Sequence, residues 1–172
     1  MKIFFEKDLE DIIYHDLTNK SITLSRGLEL NHGSQILRQK KIGNYGIADL
    51  IVIKKTNISG HRHYDISIIE LKSKVIGIQA FFQALRYIKG IKSYLSKRIE
   101  SHKIHLNYSI ILIGERIDKS GAFCYIPELI SDQQGFKGYG CITNIDFYTY
   151  RYDVEGLFFD KMAPINLKNE GF

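Results

Sequence analysis

Asp49, Glu70 and Lys72 are the residues of this 172-residue chain whose types and spacing could do chemistry. Asp49 opens the apolar run Asp-Leu-Ile-Val-Ile, and Glu70 sits near the end of another, Ile-Ser-Ile-Ile-Glu-Leu-Lys. If both runs are strands paired antiparallel, the beginning of one lies beside the end of the other, and the two carboxylates converge at one edge of the sheet. Lys72 is two positions past Glu70, and the strand period of two puts it on the same face. Hard oxygen ligands of this kind suit Mg2+, with Mn2+ as a substitute, and not zinc. With no cation the carboxylates would repel and one pKa would rise. A divalent cation resolves that conflict, activates water and neutralises charge building up on a phosphate. Lys72 can then stabilise the attacking hydroxide or the developing phosphorane charge.

The surroundings of these residues are basic. Residues 36–103 hold 14 Lys+Arg against the four acids Asp49, Asp65, Glu70 and Glu100, while the rest of the chain holds 10 against 15. The overall charge of +5 hides this concentration. An acid inside a phosphate-seeking segment repels the same phosphates that the lysines attract. For Asp65 and Glu100 a solvated loop or helix end explains the acid; for Asp49 and Glu70 it does not.

The elements that must position these residues follow from periodicity. Residues 3–16 have helical spacing, with Phe5, Leu9, Ile12 and Ile13 apolar and an acidic outer face. Residues 18–34 read as loop with at most an edge strand, and 34–41 as a strand. Gly43-Asn44-Tyr45-Gly46 is a turn, followed by strands over 47–54 and 64–72 that are buried on both faces. Residues 75–98 switch to helical period with a stripe of Ile78, Phe82, Leu85, Ile88, Ile91 and Leu95. Strands follow at 106–114 and 122–126, and Gly135–Gly140 lacks the Lys-Ser/Thr ending of a P-loop and reads as a turn. A hairpin over 142–152 and 156–159 ends the pattern. The order predicts one mixed α/β domain over residues 1–172 with a central sheet.

Asn44-Tyr45-Gly46-Ile47-Ala48-Asp49, Ile68-Ile69-Glu70-Leu71-Lys72 and Gln79-Ala-Phe-Phe-Gln83-Ala-Leu-Arg86-Tyr87 together resemble the PD-(D/E)XK nuclease superfamily, in the branch of the NucS-type endonuclease domain and the Holliday-junction resolvases. The similarity spans about residues 4–114, and 115–172 is a β-rich extension outside it. The resemblance implies a restriction-endonuclease-like αβββαβ core and a Mg2+-dependent endonuclease or exonuclease acting on DNA. By it, Asp49 and Glu70 would ligate the metal with the Leu71 carbonyl, Lys72 would be the catalytic lysine, and Gln83 would contact the active site or the DNA backbone. Glu6 matches a first-helix glutamate that joins the metal, with Glu10 and Asp11 as competitors for that role. Ala48 stands where the superfamily's name-giving proline would be. Lys40, Lys41, Lys74, Gln79 and Arg86 are the candidate DNA contacts, and cutting both strands would favour a homodimer.

The competing reading is a nucleic-acid-binding or assembly module that keeps the fold without turnover. The intact acid-acid-lysine set favours the enzyme, since a binder has no use for two acids in a basic groove. Composition excludes other classes. With 44% hydrophobic and 25% charged residues, the chain has material for a core and is neither disordered nor a coiled-coil rod. Its apolar runs, such as Leu50–Ile53 and Ile110–Ile113, are far below the ~18 residues of a membrane span. Charge interrupts the opening MKIFFEKDLED, so no secretory core is expected and a cytoplasmic location is. Cys124 and Cys141 share no metal-binding spacing and read as free thiols. His61 and His63 read as part of a solvated hairpin loop.

Overall fold

The computed structural model describes residues 5–19, 25–30, 35–98, 104–118, 123, 126 and 141–162. Cys124, Glu100 and the Gly135–Gly140 turn lie outside these residues, as does most of the strand expected over 122–126. Of that strand, Phe123 and Ile126 are described, in helical backbone, with both side chains buried in the core.

The chain is α/β, a mixed central sheet with two long helices among the described residues. Helix α1 (Glu6–Asn19) starts where the Asp8 carboxylate accepts the Phe5 amide at 3.0 Å, and its first turn carries the acids Glu6 and Asp8 that favour a helix N-terminus. Strand β1 (Ser25–Arg26) follows, then β2 (Gln35–Lys41), a 3-10 turn (Gly43–Tyr45), β3 (Ile47–Ile58), β4 (His61–Leu71) and β5 (Val75–Ile76). After helix α2 (Ile78–Ser96) come β6 (Ile104–Gly114), β7 (Arg116–Ile117), β8 (Cys141–Asp153) and β9 (Gly156–Met162). Seven strands form one sheet in the order β1-β9-β8-β6-β4-β3-β2, and β5 pairs with β7 separately. β2, β3 and β4 are antiparallel neighbours, whereas β6 joins β4 in parallel. A parallel neighbour requires a crossover, and α2 supplies it.

The β-branched runs of β3, β4 and β6 are buried on both faces because each face carries a helix. On one face α1 contributes Leu9, Ile13 and Leu17 to a core with Leu50, Val52, Ile69, Leu71, Ile111 and Ile113. On the other, α2 contributes Ala80, Phe81, Ala84, Tyr87 and Ile88 against Ile51, Ile66, Ile68, Ile110 and Leu112.

Several expectations are corrected. The inward face of α2 is rotated from the expected stripe: Phe81 is buried and Phe82 is 58% exposed. The small Ala80 and Ala84 let the helix backbone approach the sheet on that side, and a stripe of large residues would hold it off. Val75 and Ile76 pair with β7 and are not helical. β3 and β4 extend well past the expected strands and meet at Ser59-Gly60, so His61 and His63 lie in β4, paired with Ile58 and Thr56. Asp65 is likewise no loop residue: it sits within β4 and accepts a hydrogen bond from Asn107 Nδ2 at 2.9 Å. Each of the three meets a residue of β6, Asp65 through Asn107 and the two histidines through the ring of His105, contacts that local periodicity does not show. Among the described residues, no helix is long and apolar enough to cross a membrane.

Candidate active site

The antiparallel register of β3 and β4 sets Leu50 opposite Ile69, which brings Asp49 and Glu70 to the same end of the pair. There the two strands begin to part, and the Asp49 side chain continues the ladder, its Oδ2 accepting the Leu71 amide at 2.9 Å. Glu70 is 1% exposed. Its Oε1 accepts a hydrogen bond from Lys72 Nζ at 2.8 Å, and its Oε2 has no hydrogen-bond partner among the described residues. An unpaired buried carboxylate oxygen is costly, and it calls for a cation or proton.

The electrostatics agree with that demand. Burial, then the Asp49 charge, pushes the Glu70 carboxyl up to about 7, against the pull of Lys72. Asp49 is also raised, by burial first, with the Leu71 amide and Lys72 pulling it back and Glu10 and Glu6 adding repulsion. Burial pulls the Lys72 ammonium down, but the hydrogen bond and charge of Glu70, with Glu6 and Asp49 behind, outweigh it and leave its pKa raised. Lys72 is therefore held as a cation against one oxygen of a carboxylate whose other oxygen faces no donor.

The approach to Asp49 is distorted. Ala48 belongs to the α2-side core and Leu50 to the α1-side core, although residues two apart in a regular strand share a face. On the neighbouring strand Gln39 has φ of 46°, a region that non-glycine residues rarely adopt. Its amide Nε2 donates to Glu10 Oε2 and reaches Asp49 Oδ1 at 3.5 Å. Gln39 thus ties the first helix to the first acid. Gly46, at φ of 116°, lets the turn before β3 pass over Tyr87, where a Cβ would lie 3.0 Å from the ring.

The segment after Lys72 is clamped from three sides. The Lys72 amide donates to the Ile113 carbonyl at 2.8 Å, the Tyr150 hydroxyl to the Ser73 carbonyl at 2.6 Å, and the Arg116 amide to the Lys74 carbonyl at 2.9 Å. Glu6 reaches the same turn from α1, with Oε1 accepting the Ser73 amide at 3.4 Å.

Asp49, Glu70, Leu71, Lys72 and Glu6 are thereby brought to one place. Glu10, the competitor, is 5% exposed and is bonded by Arg38 and by Gln39, which also reaches Asp49, while Asp11 also bonds Arg38. Gln83 donates to the Tyr87 hydroxyl at 2.8 Å and so supports the turn into β3. Lys40 and Lys41 are exposed and pair with Ala48 and Ile47, adjacent to Asp49; Lys74, Gln79 and Arg86 are exposed nearby in sequence on the Lys72 turn and α2. Gln39 and Tyr150 are site residues that the sequence does not announce: a lone glutamine in a strand carries no signal, and Tyr150 is 77 residues from the turn it holds.

Among the described residues, no group of three or more His, Cys, Asp or Glu forms a ready-made cage for a metal. What the site offers is the pair Asp49 and Glu70 at one strand end, hard oxygen donors of the type that Mg2+ prefers. Compared with protein-family models, curated proteins and solved structures, the chain matches none.

Proposed function

We propose that the chain is a Mg2+-dependent nuclease that hydrolyses phosphodiester bonds in DNA. The observation that carries this reading is the Asp49–Glu70–Lys72 cluster, in which a buried carboxylate leaves one oxygen without a donor beside a retained ammonium. The succession α1, β2, β3, β4, α2, β6 supports a restriction-endonuclease-like core within the wider sheet. Asp49 and Glu70 would hold the cation with the Leu71 carbonyl, and Glu6 would join them. A bound Mg2+ supplies charge neutralisation and an acidified water.

The chain's own residues do the remaining work. Lys72, fixed by Glu70, places a positive charge where negative charge grows in the transition state. The clamp on residues 72–74 keeps that ammonium from following the flexible stem into solvent. Gln83, through Tyr87, supports the entry to Asp49. Lys40, Lys41, Lys74, Gln79 and Arg86 would meet the DNA backbone on either side, and a two-fold dimer would serve cutting of both strands.

The test is cleavage of plasmid, linear, flap and four-way DNA with Mg2+ or Mn2+ against EDTA. Turnover that EDTA stops supports the nuclease. DNA binding with no cleavage under any of these conditions would instead establish the idle binding module.

A further inference from the structure

A second feature lies away from the carboxylates, on the α2 face of the sheet. α2 packs chiefly on β4 and β6, and β2 is the outermost strand on that side. The strip of sheet over β2 and β3 beside the helix forms an open cleft of about 880 Å³. Its sides are half-buried aliphatic and aromatic residues, Leu37, Ile53, Tyr64, Ile91 and Leu95, above a bottom of buried Ile51 and Ile66. Its rim carries Lys40, Lys41, Lys97 and Arg98, and none of the described residues that line it is acidic. Tyr94 is 56% exposed on the same rim, with the Arg98 guanidinium 3.9 Å from its ring centre.

The dimensions suit one kind of occupant. Two strands at a spacing of about 4.8 Å present a floor about 10 Å wide, the diameter of one α-helix. The seven residues of β2 run about 23 Å, the length of roughly 15 helical residues. A helix laid beside α2 would complete the layer that α2 begins. The rim then selects the charge of its outer face. We infer that this cleft is a docking site for an acidic amphipathic helix of a partner protein, with apolar residues at i, i+3, i+4 and i+7 on the floor and carboxylates facing Lys97, Arg98, Lys40 and Lys41.

Two other occupants fit less well. A second copy related by a two-fold axis would bring the same cationic rim against itself. A nucleic acid would satisfy the rim, but the recessed floor of Leu37, Ile51, Ile66 and Leu95 offers base edges no hydrogen-bond partner. The inference shares Lys40 and Lys41 with the DNA contacts proposed above, but its other rim cations, Lys97 and Arg98, are not among those contacts. Tyr64 is six residues before Glu70 in β4, which separates the far end of the cleft from the carboxylates by about 20 Å along the strand.

The probe is a pair of stapled helical peptides of about 15 residues, sharing one leucine stripe and carrying Glu or Lys at every other position. Fluorescence anisotropy with the full chain should give binding of the Glu peptide at least about tenfold tighter than that of the Lys peptide, the scale of a few rim ion pairs. The double variant Lys97→Glu/Arg98→Glu should erase that preference while leaving the thermal midpoint unchanged. Leu37→Asp should weaken both peptides. Equal binding of the two peptides, or binding of neither, overturns the proposal. So does displacement of the Glu peptide by oligothymidylate that itself requires Lys97 and Arg98, which would make the cleft a nucleic-acid site. Dimerisation of the free chain abolished by Leu37→Asp would overturn it in favour of a second copy.

Discussion

Glu70 and Lys72 show how a carboxylate can be buried and still left half-satisfied. The ammonium occupies one oxygen at 2.8 Å and nothing donates to the other, while Asp49 sits close enough to raise its proton affinity. Folding therefore raises the Glu70 pKa from the ordinary 4.5 to about 7. In that window the folded state holds more protons than the unfolded one, so stability falls as pH rises. The contribution is complete below the unfolded value and gone above the folded one. Thermal midpoints of the metal-free protein should decline across this range, Glu70→Gln should flatten the decline, and Mg2+ should raise the midpoint more at neutral pH than in acid. The same residues set the catalytic expectation. Asp49→Asn and Glu70→Gln should each abolish cleavage, because neutral amides hold a dication poorly. Lys72→Ala should still bind metal by calorimetry, yet lose about 10²-fold or more in rate, the usual scale for one electrostatic stabiliser. Full activity of Lys72→Ala beside inactive carboxylate variants would keep the metal site and remove the role given to the lysine.

At the scale of elements, α1 presents two glutamates one turn apart with different work. Glu6 is exposed and reaches the Ser73 amide, whereas Glu10 is buried between Arg38 and Gln39. Glu6→Gln should slow cleavage and raise the Mg2+ requirement with urea stability unchanged. Glu10→Ala should lose about 1–3 kcal/mol of stability, the cost of leaving charged and polar partners unpaired. If instead Glu10→Ala matched Glu6→Gln in metal requirement at full stability, the N-terminal acid would move by one turn. The hairpin of β8 and β9 also acts on the site, since Tyr150 holds the Ser73 carbonyl. Tyr150→Phe should cost about 1 kcal/mol by urea unfolding and should lower kcat for cleavage, with KM for DNA little changed, because the turn that aims Lys72 is loosened. A wild-type kcat would confine β8 and β9 to the core.

For the whole molecule, the distribution of charge matters more than its sum. The basic segment 36–103 forms β2, β3, β4 and α2, and it carries the exposed Lys40, Lys41 and Lys74 around the carboxylates. If this surface meets DNA, affinity should fall steeply with salt as counterion release is lost. Neutralising Lys40, Lys41 or Lys74 should weaken unrelated sequences alike and reduce the slope of log affinity against log salt by about 1 per contact. Filter binding across a salt series measures both, and a flat dependence would separate the basic segment from DNA.

The local sequence determined much of this arrangement. Two β-branched runs with an acid at the start of one and near the end of the other can pair antiparallel in only one sense, so the meeting of Asp49 and Glu70 follows from periodicity. Lys72 follows from the strand period of two. The existence of α1 and α2 was legible for the same reason, since an apolar stripe is written along the chain. What packs against a stripe is not. The rotation of α2 that exposes Phe82 depends on how closely Ala80 and Ala84 approach the sheet, and the burial of Glu10 depends on Arg38 and Gln39 arriving from β2. Gln39, at φ of 46°, bridges Glu10 and Asp49 with its side chain, and Tyr150 reaches Ser73 across 77 residues. These are long-range contacts, formed only when the sheet closes, and no local period encodes them.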